Sequence, residues 1–252
     1  MNFKKLGFAL AGMLMYGAAS HANAALVDLE LSLVIDVSGS VSTAEYTLQM
    51  DGYANAFRDT SVQQNIAAST NGIAVNVVFF ASSYYSTALD AFTILTSAAQ
   101  ANAYADLLDN FSRPGGGGTA IYAGINRAVD LLLNNGLDAT VGTVIDVSGD
   151  GASTSSTTAA SRDAAVAQGF TINGLPIGST SLATFYNDYV IGGPGAFVQP
   201  ASSFTDFETA VINKISAETS VVTPPSTASA PGALSLLLVS GAFMFLRLRK
   251  RK

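Results

Sequence analysis

The chain has 252 residues, 49% apolar and only 12% charged, which supplies one sizeable core and excludes a disordered, highly charged chain. Seven of the 12 basic residues lie at the ends (Lys4, Lys5, Arg247, Arg249, Lys250, Arg251 and Lys252), leaving 5 bases against 18 acids over residues 25–230, a net −13 that excludes nucleic acid as a partner. With no Cys and a single His, His21, in a segment expected to be removed, Ser-His-Asp and Cys-His catalysis, His- or Cys-bound zinc, haem and iron–sulfur chemistry all lack their residues. No enzymatic activity is expected, and what remains is oxygen chemistry, suited to hard cations.

Residues 1–24 read as a secretory signal: Lys4-Lys5, an apolar run over 6–19, then Ala22-Asn23-Ala24 in a small-x-small pattern. An uncleaved anchor is the alternative, although the run is short for a span. The body over 25–220 alternates strands and helices. An apolar strand over 31–35 is followed by a helix with the capping-box pair Ser42/Glu45 and the stripe Tyr46, Met50, Tyr53, Phe57. Strands are expected at 73–80 and, more weakly, 91–95, then a helix over 98–111 with Tyr104, Leu107, Leu108 and Phe111 inward. The glycines 115–118 open a helix carrying Ile121, Ile125, Ala128 and Leu132 on one face. A strand over 143–147, a helix over 159–168 stopped by Gly169, and strands over 170–177 and 196–199 come next. The last helix, 206–217, has Thr205/Glu208 as a box and Phe207, Val211 and Ile215 inward. This order predicts a doubly wound, mostly parallel sheet flanked by helices, with its site at the carboxyl ends of the strands where strand order reverses.

Residues 221–232 form a Ser/Thr/Pro/Ala linker, followed over 233–252 by a 14-residue, mostly apolar run and a basic cluster. That order resembles bacterial sorting tails of the PEP-CTERM type, with Ser229-Ala230-Pro231-Gly232 where Pro-Glu-Pro would stand. A plain membrane anchor is the alternative, and both readings put the domain outside the inner membrane, in the envelope or beyond, with at least a transient membrane partner at the tail.

Asp36-Val37-Ser38-Gly39-Ser40 follows the first strand, so three oxygen-bearing side chains at i, i+2 and i+4 can converge on one cation. The bland reading is a helix-capping loop. Thr119 follows four glycines that allow close backbone approach, and Asp150-Gly151 ends a later strand at the same sheet edge. With these pieces of a metal-ion-dependent adhesion site, the chain resembles the von Willebrand factor A domain over roughly 28–218. It is closest in wording to a bacterial branch of unknown function, at Val-Ile-Asp-Val-Ser-Gly-Asp-Gly (144–151), Thr-Ile-Asn-Gly-Leu-Pro-Ile (171–177) and Val-Ile-Gly-Gly-Pro-Gly-Ala-Phe-Val (190–198).

The resemblance implies that Ser38 and Ser40 ligate a divalent cation, Mg2+ first and Mn2+ or Ca2+ as alternatives. Thr119 would ligate directly or through water, Asp36 and Asp150 would supply charge, and one position would stay open for an Asp or Glu carboxylate of a protein partner. Because Val-Ile-Asp-Val-Ser-Gly occurs at 34–39 and again at 144–149, Asp146 competes with Asp150; if the strand runs to Gly149, Asp146 lies in mid-strand and needs a buried partner of its own. Two other functions fit the residues less well. One is a structural surface or matrix protein with a vestigial metal site. The other is a Mg2+-dependent phosphohydrolase of the haloacid dehalogenase type, which lacks its second aspartate at Ser38 and has only Lys214 as a candidate for its required lysine. A P-loop reading of 115–119 lacks the Lys before Thr. Gly192-Gly193-Pro194-Gly195 and Asn173-Gly174 carry no assigned chemistry beyond turn and strand-end geometry.

Overall fold

The computed structural model describes residues 24–220; the expected leader, linker and tail fall outside the described residues, save for Ala24. Six strands, β1 (Ala25–Asp36), β2 (Ile73–Phe80), β3 (Tyr84–Tyr85), β4 (Thr93–Leu95), β5 (Leu137–Gly149) and β6 (Thr171–Pro176), form one sheet in the order β3-β2-β1-β5-β6, with β4 also on β2. The four long strands run parallel, and the short β3 and β4 pair antiparallel with β2. From central β1 the chain first moves to β2 on one side, then crosses back to β5 on the other. Strand order therefore reverses at the carboxyl end of β1, the position where open α/β sheets form ligand crevices.

Helices cover both faces. On one lie α1 (Thr43–Arg58), α2 (Thr60–Ala68), α3 (Ala98–Asp109) and α7 (Phe207–Ser220), packed on Leu29, Leu31, Leu33 and Ile35 of β1. The other carries α4 (Ile121–Asn134), α5 (Ser155–Ala167), α6 (Thr180–Phe185) and a π turn over Tyr186–Val190, packed on Val34, Val78, Ile145 and Val147. The two-residue period of a strand makes this division, because alternate side chains of β1 serve opposite cores.

The Ser42/Glu45 capping box forms in both directions, and Tyr46, Met50, Tyr53 and Phe57 are buried. Tyr53 meets Phe207 edge-on at 5.4 Å, which fastens α1 to α7. Gly52 permits that approach, since a Cβ there would stand 2.7 Å from the Phe207 ring. The predicted stripe of α4 is buried as well: Ile121, Ile125, Ala128 and Leu132.

Several expectations need correction. β1 and β5 extend well beyond 31–35 and 143–147, and Asp28 and Glu30 lie inside β1. Asp28 accepts bonds from Thr70 N, Asn71 and Thr140, and Glu30 from Asn135 and Thr143, so local donors replace water and the ladder continues. Leu107 is 45% exposed instead of inward, since α3 buries only the narrower stripe Ala101, Tyr104, Ala105 and Leu108. Residues 196–199 make a single bridge, Gly174 to Val198, rather than a strand. α7 starts after a turn in which Ser203 donates to Asp206, and the described hydrogen bonds include no Thr205/Glu208 box. The helices α2 and α6 and the π turn were not anticipated.

Candidate metal centre

The chain leaves β1 at Asp36, whose side chain is fully buried. Its Oδ1 accepts from Ser38 N at 2.7 Å, while its carbonyl accepts from Gln49 Nε2 on α1 at 3.1 Å. These bonds curl the loop so that Ser38 Oγ and Ser40 Oγ lie 3.1 Å apart. Ser40 Oγ in turn donates to Asp150 Oδ1 at 2.6 Å, across 110 residues of sequence. Thr119 closes the group from the other side: a Cβ on Gly151 would lie 3.0 Å from Thr119 Oγ1. All five predicted residues, Asp36, Ser38, Ser40, Thr119 and Asp150, are thus brought to one spot at the carboxyl edge of the sheet.

The glycine loop makes this convergence possible. Gly39 N donates to Gly117 O at 2.7 Å, and Gly117 has φ +130, a conformation that a side chain would strain. A Cβ on Gly115 would fall 2.3 Å from the Tyr85 ring. Beyond the loop, Gly118 N donates to Ser82 Oγ and Ala120 N to Ala81 O, each at 2.7 Å, which holds Thr119 at the entry to α4.

Sequence reasoning missed Arg113. Its guanidinium donates to the carbonyls of Val37 and Ser38, both at 2.7 Å, and to Gly115 O at 2.9 Å, tying the Asp36 loop to the glycine loop. A lone arginine ahead of Pro114 carries no motif, and its partners are backbone oxygens that no sequence pattern marks. Tyr186 was missed too; its buried hydroxyl lies 3.0 Å from where a Gly149 Cβ would stand.

Burial pushes the Asp36 carboxyl up to about 6, with the charge of Asp150 adding to the rise and hydrogen bonds from Ser38 and the charge of Arg113 opposing it. Its Oδ2 is buried and accepts no hydrogen bond. A buried oxygen of that kind calls for a cation or a proton.

The donor set fits a hard divalent ion. Oxygens at right angles around Mg2+, at about 2.1 Å each, are about 3 Å apart, close to the observed 3.1 Å and 2.6 Å spacings. Among the described residues no group of three or more His, Cys, Asp or Glu side chains forms a metal site, so an ion here would rest on three hydroxyls and two carboxylates.

The repeated hexapeptide resolves in register. Asp146 pairs across β1 with Leu33, three residues short of Asp36, and its carboxylate is buried 2.6 Å from Lys214 Nζ on α7. It has the buried partner that a mid-strand carboxylate requires and stands apart from the hydroxyl group, whereas Asp150, just past the end of β5, bonds Ser40.

Gly149 packs directly against Asp36. A Cβ there would sit 2.7 Å from Asp36 Oδ2 and 2.8 Å from Asp36 Cβ. Gly149→Ala is expected to lower stability by about 1–3 kcal/mol through overpacking and to displace Asp36. Urea unfolding monitored beside the backbone amide signals of residues 36–40 checks this; unchanged signals at those positions would contradict the packing argument.

Residues 26–223 match the family described as a protein of unknown function, DUF1194. The chain belongs to this family. No curated protein is significantly similar to it. Among solved structures, the proximal thread matrix protein 1 of the mussel byssus, in a form with a zinc-occupied MIDAS motif, is 18% identical with TM-score 0.57, over 76% of this chain and 46% of that one. The pilus adhesin SpaC of Lactobacillus rhamnosus GG is 16% identical with TM-score 0.57, over 76% of this chain and 30% of that one. The von Willebrand factor domain of the type V pilus tip protein Mfa5 of Porphyromonas gingivalis is 10% identical with TM-score 0.57, over 79% and 97%. This DUF1194 protein therefore has the von Willebrand factor A fold, and it spans under half the length of the byssus and SpaC chains.

Proposed function

We propose that this domain is an exported, non-enzymatic adhesion-type module that holds one divalent cation, Mg2+ first among Mg2+, Mn2+ and Ca2+, and uses it to bind an Asp or Glu carboxylate of a partner protein. The single observation that carries this reading is the convergence of Ser38, Ser40, Thr119 and Asp150 around the buried Asp36, whose Oδ2 accepts no hydrogen bond. Ser38, Ser40 and Thr119 would hold the ion through hydroxyls, with Asp36 and Asp150 supplying negative charge. A bound divalent ion supplies Lewis acidity, and a donor set with few anions preserves it for an incoming carboxylate. The pilus adhesins and the zinc-occupied byssus protein among the structural neighbours support the class, and the leader expected over 1–24 supports export. No helix among the described residues is long and apolar enough to cross a membrane.

N-acetylglutamate N-methylamide is the minimal probe of this reading. With Mg2+ present it is expected to shift backbone amide signals of residues 36–40, 117–120 and 149–151, and to lose that effect in EDTA or in Ser38→Ala. An equal response to the glutamine analogue, or one indifferent to EDTA, would sink the carboxylate assignment.

A further inference from the structure

The molecule has a second group of buried charges, about which the metal centre says nothing. Asp146 from β5 and Lys214 and Glu218 from α7 are at most 3% exposed. Lys214 Nζ lies 2.6 Å from both carboxylates, and Glu218 Oε1 also accepts from Asn173 Nδ2 of β6 at 2.8 Å. The remaining oxygen, Glu218 Oε2, is buried without a hydrogen-bond partner. Two carboxylates face one ammonium, so with both ionised the cluster is one positive charge short among side chains at most 3% exposed.

Glu218 also forms part of the wall of a cleft of about 370 Å3. Leu29, Val144, Phe197, Pro194 and Ala217 supply apolar walls, and Asn173 lies beside the carboxylate. Pro194 and Gly195, from the glycine-rich turn without assigned chemistry, form its lip. A hard metal ion takes about six oxygens, and beside the one unpartnered Glu218 oxygen the nearby Asn173 Oδ1 already accepts from Phe197 N. An alkylammonium suits both features, its charge meeting Glu218 Oε2 and its chain lying on the apolar wall, where the Phe197 ring already faces one ammonium, that of Lys214 at 5.8 Å.

We infer that this cleft is a binding site for a small organic monocation, a primary alkylammonium, recognised by the Glu218 carboxylate. Burial and the charge of Asp146 raise the Glu218 carboxyl to about 7, opposed by Lys214 and Asn173; Tyr53 of α1 is the other titratable group facing it. A proton and an ammonium thus compete for one oxygen.

The test is calorimetric titration of the full chain with n-butylammonium, and with n-butanol as its neutral counterpart, in EDTA and at physiological salt, which suppresses diffuse binding to the acidic surface. EDTA separates the result from the fate of the metal reading. Butylammonium is expected to bind at least tenfold more tightly than butanol at pH 8, and about thirtyfold more weakly at pH 5.5 than at pH 8 as the proton takes Glu218. Glu218→Gln is expected to abolish the preference. Should that variant fail to fold, the butanol comparison and the pH dependence of the unaltered chain decide. Equal binding of the two probes, a preference that survives Glu218→Gln, or no binding at either pH would overturn the assignment.

Discussion

Lys214→Met is expected to lower the unfolding free energy by about 3–5 kcal/mol at pH 8, the largest single-residue effect in the molecule, because it leaves two buried carboxylates without a counter-charge. Asp146 and Glu218 both lie 2.6 Å from the Lys214 ammonium, and all three are buried. Methionine matches the length and leaves no cavity, so the loss reads out charge rather than packing. The deficit is expected to shrink on acidification. Glu218 titrates higher in the folded chain than when unfolded, so its stabilising contribution is full below about 4.5 and is lost as pH rises through about 7. Without Lys214 the folded carboxyl rises further, and protonation relieves the variant more than the parent. Adding Glu218→Gln to Lys214→Met is expected to restore part of the loss. Urea unfolding of the parent, of Lys214→Met, of Glu218→Gln and of the double variant at pH 5.5 and pH 8 checks this; a deficit of the same size at both pH values would show that Lys214 matters for shape and not for charge.

Asp36→Asn is expected to do the opposite in the absence of metal. The carboxyl of Asp36 stands at about 6 in the fold against 3.8 for the ordinary group, so holding it ionised at neutral pH costs about 3 kcal/mol. Because the folded value is the higher one, the contribution of Asp36 to the stability of the metal-free chain is full below about 3.8 and is lost as pH rises through about 6. Asparagine keeps an acceptor for Ser38 N and removes the charge. In EDTA at pH 7.5 the variant is expected to melt about 6–12 °C above the parent. With saturating Mg2+ the order narrows or reverses, since only the parent gains from the ion. Equal melting temperatures in EDTA would mean that water or neighbouring donors already satisfy the carboxylate.

Both effects sit on residues whose meaning was unevenly legible in the sequence. The sheet was readable because apolar runs such as 73–80 are bounded by turns, and the stripes Tyr46–Phe57 and Ile121–Leu132 hold the helical period over three turns. The meeting of the five candidate residues was readable because loops at the carboxyl ends of β1 and β5 and the entry to α4 come together where strand order reverses. The duplicated Val-Ile-Asp-Val-Ser-Gly was ambiguous until the register put Asp146 opposite Leu33, not level with Asp36. That Asp146 needed a buried partner followed from its mid-strand place, but its identity depends on how α7 lies over β5, which no local pattern encodes. Arg113 and Tyr186 were invisible for a similar reason: one acts on backbone carbonyls and the other through burial beside Gly149. Residues 196–199 looked like a strand because Phe197 and Val198 are apolar; they face the cleft and the second core instead, without a continuous ladder.

The central claim is that Ser38, Ser40, Thr119, Asp36 and Asp150 hold one divalent cation together. Calorimetric titration of Mg2+ and Mn2+ into the protein and into Asp150→Ala, at physiological salt to screen the acidic surface, tests it most directly. The account predicts a single site of millimolar or tighter affinity in the parent and none in the variant, with both chains equally folded. Weak binding that is indistinguishable between the two would contradict it and leave the site a structural remnant of the fold.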